Sequence, residues 1–186
     1  NYDKAYALYT ECLELNPKND GVHYALARLF LTQKNVDAAI YHFNEASELD
    51  PTNAWYLTRL ADLYNQTNDL KNADKVFKRL RKLDENNPEY VYNHGSLMLY
   101  TRNTKKALQY FRDYEAIAGI NPELSITKFQ YLVGEEEFDL AEKEIEIAIE
   151  QFPDEARLYS YLADLYKAQG RYAKALQVFS KAMKIE

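Results

Sequence analysis

The residues best suited to chemistry are few, and their spacing works against it. Three histidines, His23, His42 and His94, accompany a single thiol, Cys12. Imidazoles hold a metal when they repeat at one helical turn or meet cysteines at short spacing. None of the three is so placed, and they fall at different points of the pattern described below, so ordinary packing or surface roles are expected. A nucleophilic cysteine needs a neighbouring base. Cys12 instead sits in a slot filled elsewhere by alanine and is expected to be a small buried hydrophobe. The five glycines are scattered and form no loop that could cradle a phosphate. The chain is therefore read as a non-enzyme, with no catalytic residue, no metal and no cofactor.

Charge narrows the partners. A formal net charge of −6 and a pI near 5.2 repel phosphate backbones and anionic lipid on average, so neither nucleic acid nor direct membrane insertion is expected. No apolar run approaches the roughly 18 residues that span a bilayer, and no signal peptide is seen. A lone cysteine rules out an internal disulfide, leaving cytoplasmic and periplasmic or cell-envelope locations equally compatible. The first residue is not Met, so the chain is expected to be a piece of a longer one.

With 47% hydrophobic residues, five Gly and five Pro against seventeen Tyr, the composition suits packed helices and disfavours a sheet rich in tight turns. Ala5, Ala39, Ala73, Ala107, Ala141 and Ala175 recur at intervals of 34 residues. Four residues after each comes Tyr9, Phe43, Phe77, Phe111, Ile145 or Phe179, and three further Cys12, Ala46, Leu80, Tyr114, Ala148 or Ala182. Spacing i, i+4, i+7 is one face of a helix. A preceding helix carries its own stripe, as in Leu26, Ala27 and Phe30, Leu60, Ala61 and Tyr64, and Leu162, Ala163 and Tyr166. Short links such as "TQKNVD", "NQTNDL" and "AQGRYA" hold the turn residues Asn, Asp or Gly. Each unit is thus an antiparallel helix pair whose small residues let the helices cross closely.

This unit resembles the tetratricopeptide repeat, with a small residue in each helix, an aromatic midway and a Pro near the end, here Pro17, Pro51 and Pro153. The resemblance covers the whole chain. It divides into a half repeat at 1–19, full repeats at 20–53, 54–87, 88–121 and 122–155, and a nearly complete one at 156–186. It implies an all-α fold, a right-handed α-solenoid of stacked antiparallel helix pairs, forming a single array. Two repeats depart from the family pattern, with His94 and Met98 in one and Lys128, Phe129 and Leu132 in the next, a change that bears on the packing angle there. Asn87-Pro88 and Asn121-Pro122 supply a cap and a first-turn proline at their starts.

What the resemblance implies for function is a scaffold that binds a peptide or protein segment in the concave groove lined by first helices. Family groove positions fall here on Tyr24, Arg28, Arg59, Asp62, Tyr92, Asn93, Ser96, Tyr100, Gln130 and Tyr161. Tyrosines would serve as flat anchors, Arg28 and Arg59 as partners for acidic groups. The carboxylate clamp of chaperone-tail binders is absent, since Thr58, Asp62, Glu123 and Thr127 stand where it would be read. The acidic run of 135–155 and the basic run of 71–82 lie largely on second helices and are expected to be solvated convex faces. The alternative function is a structural spacer or self-association module, in which ends left uncapped around Ala175, Phe179 and Ala182 meet another copy.

Overall fold

Most helices with a described cap begin where a short polar side chain satisfies a free amide of the first turn. The computed structural model describes residues 2–185, which form eleven helices and no strand. They fall into two compact units, the first ending at Asn103 and the second beginning at Thr104. Unit one holds α1 (Tyr2–Leu15), α2 (Asp20–Thr32), α3 (Val36–Leu49), α4 (Ala54–Gln66), α5 (Leu70–Leu83) and α6 (Pro88–Tyr100). Unit two holds α7 (Thr104–Ala118), α8 (Pro122–Gly134), α9 (Phe138–Gln151), α10 (Ala156–Ala168) and α11 (Tyr172–Ile185). The class expected from the sequence, all-α stacked helix pairs of the solenoid kind, is the one formed.

First helices are opened by asparagine. The Oδ1 atoms of Asn19, Asn53 and Asn121 accept from the amides of Val22, Trp55 and Leu124 at 3.1, 3.2 and 2.8 Å. Asn87 accepts from Glu89 and Tyr90 at 3.1 and 3.4 Å, with Pro88 at the first helical position, and Pro122 follows Asn121 in the same way. Only the last of these starts breaks the series: Glu155 stands at the cap of α10 and its side chain makes no capping bond.

The turns inside the repeats share one backbone device. Lys34, Asn68, Arg102, Glu136 and Gly170 all take positive φ, between 56° and 72°. Each is followed by a residue whose amide reaches back five positions, as Asn35 to Phe30 at 3.0 Å and Glu137 to Leu132 at 2.9 Å. This is the Schellman closure, in which a left-handed residue returns two amides to the last carbonyls of the helix. Four of the five left-handed residues carry a side chain in a conformation that glycine adopts freely.

Packing follows the alanines. Ala39, Ala73, Ala107 and Ala141 are 0% exposed, and Phe43, Phe77, Phe111 and Ile145 one turn on are buried. In unit one α2 pairs with α3 and α4 with α5, while α3 packs on α4 and α5 on α6. In unit two α8 pairs with α9 and α10 with α11, while α9 packs on α10. The outermost helices differ from the inner ones, and at Cys12 from expectation. Cys12 is exposed rather than buried, and Phe179 is 50% exposed, because α1 packs on α2 and α11 on α10 with no second substantial helix neighbour among the described residues. Tyr172, Leu176 and Met183 are exposed on α11 as well.

One position of the first helix separates the repeats. Leu26, Leu60 and Leu162 fill it with a buried aliphatic side chain, whereas His94 and Lys128 occupy it in α6 and α8. His94 Nε2 lies 2.8 Å from Asp74 Oδ1 of α5. Burial lowers the His94 pKa despite that carboxylate, so the ring is neutral and donates. Lys128, only 3% exposed, reaches Glu115 of α7 through both carboxylate oxygens at 2.6 and 2.7 Å and Glu144 of α9 at 2.6 Å. Burial pushes the Glu115 carboxyl up, and Lys128 opposes that push without cancelling it. Buried charge is tolerated here because the cation meets carboxylates from two flanking helices.

Candidate functional site

A cleft of about 630 Å³ opens in unit one, walled by α4 and α6 and backed by α5. Leu70, Phe77 and Leu80 supply its apolar back, and Trp55, Tyr90 and Tyr100 its aromatic sides. Arg59, Asp62, Asn65, Glu89, Asn93 and Ser96 bring polar groups to the same space. The amphipathic register of the two helices explains the meeting: Leu60 and Ala61 turn inward and are buried, so Arg59 and Asp62 face outward beside them.

Electrostatics hold Arg59 in place. Its guanidinium carbon stands 4.1 Å from the centre of the Trp55 ring, and Nη1 donates to Asp62 Oδ2 at 3.3 Å. Trp55 Nε1 donates in turn to the Tyr24 hydroxyl of α2 at 2.9 Å, and Arg28 lies over the Tyr24 ring at 5.7 Å. Tyr24 also meets Phe43 edge-on and Tyr56 at a tilt. Tyr56 donates to Asp20 Oδ2 at 2.7 Å, and burial first, then that carboxylate, pushes its pKa up to about 12. A line of aromatic rings and arginines thus runs across the first helices α2 and α4, with flat faces that stay wet on one side.

The expected groove residues divide by location. Arg59, Asp62, Asn93, Ser96 and Tyr100 share the cleft, while Tyr24 and Arg28 lie beyond it on α2, joined through Trp55. Tyr92, 42% exposed, is on α6 but does not line the cleft. Gln130 and Tyr161 belong to unit two, where Gln130 Nε2 donates to the Tyr161 hydroxyl at 3.2 Å and Tyr161 packs edge-on against Phe129. Glu89 and Tyr90 were not foreseen. Their signal was available, since they form the first turn after Pro88 and so project from the end of α6 that flanks the cleft.

The charged second helices are less uniformly solvated than expected. Arg79 donates to Glu48 at 2.8 Å and to the Ser47 carbonyl at 2.9 Å, tying α5 to α3. Glu142 accepts from Tyr166 at 2.7 Å and from Arg171 at 2.6 Å, and these bonds, Arg171 foremost, draw its pKa down. The histidines pack as expected of them, although two meet in space. His23 Nε2 donates to the Pro17 carbonyl at 3.3 Å, so its Nδ1 accepts from His42 Nδ1 at 3.0 Å. Burial, followed by His23, lowers the His42 pKa. Among the described residues no group of three or more His, Cys, Asp or Glu could hold a metal ion, and no helix is long and apolar enough to cross a membrane.

Comparison with known proteins gives these features a setting. The family described as the TT21 fifth ARM repeats domain matches residues 20–116, and tetratricopeptide repeat families match residues 126–185 and 1–19. No curated protein sequence matches the chain. A structure of MamA protein aligns over 90% of this chain and 91% of its own at 21% identity, with a TM-score of 0.67. YrrB, described as a TPR protein with an unusual peptide-binding site, aligns over 96% and 92% at 21% identity, with a TM-score of 0.63. One chain from the structure of Naa15/Naa10 bound to HypK-THB covers 99% of this chain at 18% identity and a TM-score of 0.76, the match spanning 31% of that larger chain. At these identities the likeness is one of fold.

Proposed function

Since the chain belongs to the tetratricopeptide-repeat family, with residues 20–116 in the TT21 fifth ARM repeats domain family, we propose that it is a non-catalytic scaffold gripping a peptide or protein segment in its α4–α6 cleft. The observation that carries this reading is convergence. Five side chains selected by repeat position, Arg59, Asp62, Asn93, Ser96 and Tyr100, line one cavity that also holds Trp55 and Tyr90. An extended segment presents amides and carbonyls at every residue, and Asn65, Asn93 and Ser96 offer both donors and acceptors to them. Aromatic rings give flat anchors whose few rotatable bonds lose little entropy on binding. Tyr24, Arg28 and Tyr92 are proposed to extend the contacts of unit one, and Gln130 and Tyr161 are proposed contacts of unit two alone.

Peptides selected from a random display library on the immobilised protein test the assignment. Asn93→Ala with Tyr100→Ala should weaken the selected peptides by about tenfold or more, because both a main-chain partner and an anchor are lost. Undiminished binding by that double variant, with its helicity intact, would remove the cleft from the binding surface.

A further inference from the structure

We propose that unit two carries a second binding site on the side of its second helices, taking an apolar side chain of a partner segment together with an adjacent carboxylate. The site is a pocket of about 300 Å³ between α7 and α9, with Lys128 and Leu132 of α8 beneath it. Leu108 and Arg112 come from α7, and Leu140, Lys143, Glu144 and Ile147 from α9.

Two of these residues are out of character for their positions. Leu140 is 52% exposed and Ile147 37% exposed, one face of α9 seven residues apart. At repeat spacing the place of Leu140 is held by Lys4, Ala38, Asn72, Lys106 and Lys174, and that of Ile147 by Glu11, Glu45, Arg79, Asp113 and Lys181. Every other repeat therefore keeps a small or polar residue where this one turns two large aliphatic side chains to solvent. Burial in the core does not account for them, since Ala141, Ile145 and Ala148 already fill that face of α9.

Charge selects the companion group. Within the pocket Lys128 pairs with both Glu144 and Glu115, one cation against two carboxylates, and Arg112 adds its positive field to Glu115. Arg112 donates only to the neutral Gln109 at 3.3 Å, and neither it nor Lys143 has a carboxylate within ion-pair distance among the described residues. Of the other acids of α9, Glu142 is bonded to Arg171 and Tyr166, Asp139 and Glu146 act electrostatically on those same two residues, and Glu150 is exposed one turn beyond Ile147. An aliphatic pocket rimmed by Arg112 and Lys143, two exposed cations that form no ion pair among the described residues, is locally complementary to an acidic and apolar segment.

Two pocket variants, one cleft variant and a display selection decide the matter. Random peptides selected on the immobilised protein should include a class in which Leu, Ile or Phe adjoins Asp or Glu. That class should lose about tenfold or more in binding on Leu140→Lys/Ile147→Lys and on Arg112→Glu/Lys143→Glu, yet survive on Asn93→Ala/Tyr100→Ala. Survival on the last variant separates this site from the α4–α6 cleft. Should the lysine variant melt below the parent protein, the charge-reversal variant, altered only at exposed positions, carries the test. Clones that ignore both variants, or that depend on them but carry basic residues, overturn the proposal. So does recovery of no such clones while decanoate alone raises the melting temperature, which would make the occupant a small amphiphile.

Discussion

Leu60 in α4 and Lys128 in α8 hold the same place in the repeat, yet they stabilise it by different physics. Leu60 is 0% exposed and its side chain carries no polar atom, so its slot asks only that the volume be filled closely. Around Lys128 the contact is ionic, and its favourable energy depends on two carboxylates from two helices reaching one nitrogen at 2.6–2.7 Å. The first kind of slot is set by volume and the second by charge. Unit two thus has one crossing whose geometry is dictated by charge, and that crossing forms the base of its outward pocket.

The largest effect should come from breaking the ionic slot. Lys128→Met leaves Glu115 and Glu144 without their shared cation, and denaturant unfolding should show a loss of about 3–5 kcal/mol. Replacing Lys128, Glu115 and Glu144 together by Leu should recover most of that loss, because a well-packed aliphatic cluster has no desolvation penalty. If the single variant unfolds at the parental midpoint, the ionic account of α8 is wrong.

The alanine slot, by contrast, is the same in both units and should respond to volume alone. Ala107→Leu adds three carbons at a position that is 0% exposed and should cost about 1–3 kcal/mol in the same measurement. No loss of stability would take Ala107 out of the helix crossing.

The smallest effect tests His94, which occupies the Leu60 slot as a neutral ring. Its pKa and that of His42 are lowered in the folded chain, so the unfolded chain takes up these protons first. Their contribution is complete above the ordinary histidine value and declines as pH falls below it. Asp74 works at a lower pH. Burial raises its pKa, but bonds from Lys78 and His94 outweigh this and hold it below the usual value, so its share is lost only on deeper acidification. Between about pH 7 and about pH 5 stability should decline, and His94→Leu with His42→Phe should flatten that decline. An unchanged slope in the double variant would assign the acid sensitivity elsewhere.

Much of the fold was legible because alanine spacing is a strong and redundant signal. Buried Ala39, Ala73, Ala107 and Ala141 repeat one geometric demand, and Asn19, Asn53, Asn87 and Asn121 repeat another. Less legible were contacts between helices distant in sequence. Nothing local to Lys128 announces that Glu115 and Glu144 will surround it, and a charge on an otherwise apolar face reads only as a departure. Cys12 was misplaced because its slot was taken from helices flanked on both sides, whereas α1 has one substantial neighbour among the described residues. At the cleft, repeat position located Arg59, Asp62, Asn93, Ser96 and Tyr100, but Glu89 and Tyr90 enter through the cap geometry of α6.

The shared turn bears on where the chain can change its length. In the turn at Asn35 the residue whose amide closes α2 also accepts, through its side chain, from the Ala38 amide in the first turn of α3, and Asp69 does the same for Asn72 between α4 and α5. One residue serves two helices, so a single inserted or deleted amino acid would uncouple both ends at once. In the links before Asn53 and Asn87 the two jobs fall to different residues, Asp50 and Asp84 closing the helix behind while Asn53 and Asn87 cap the helix ahead, so an insertion between them leaves both bonds to their own helices in place.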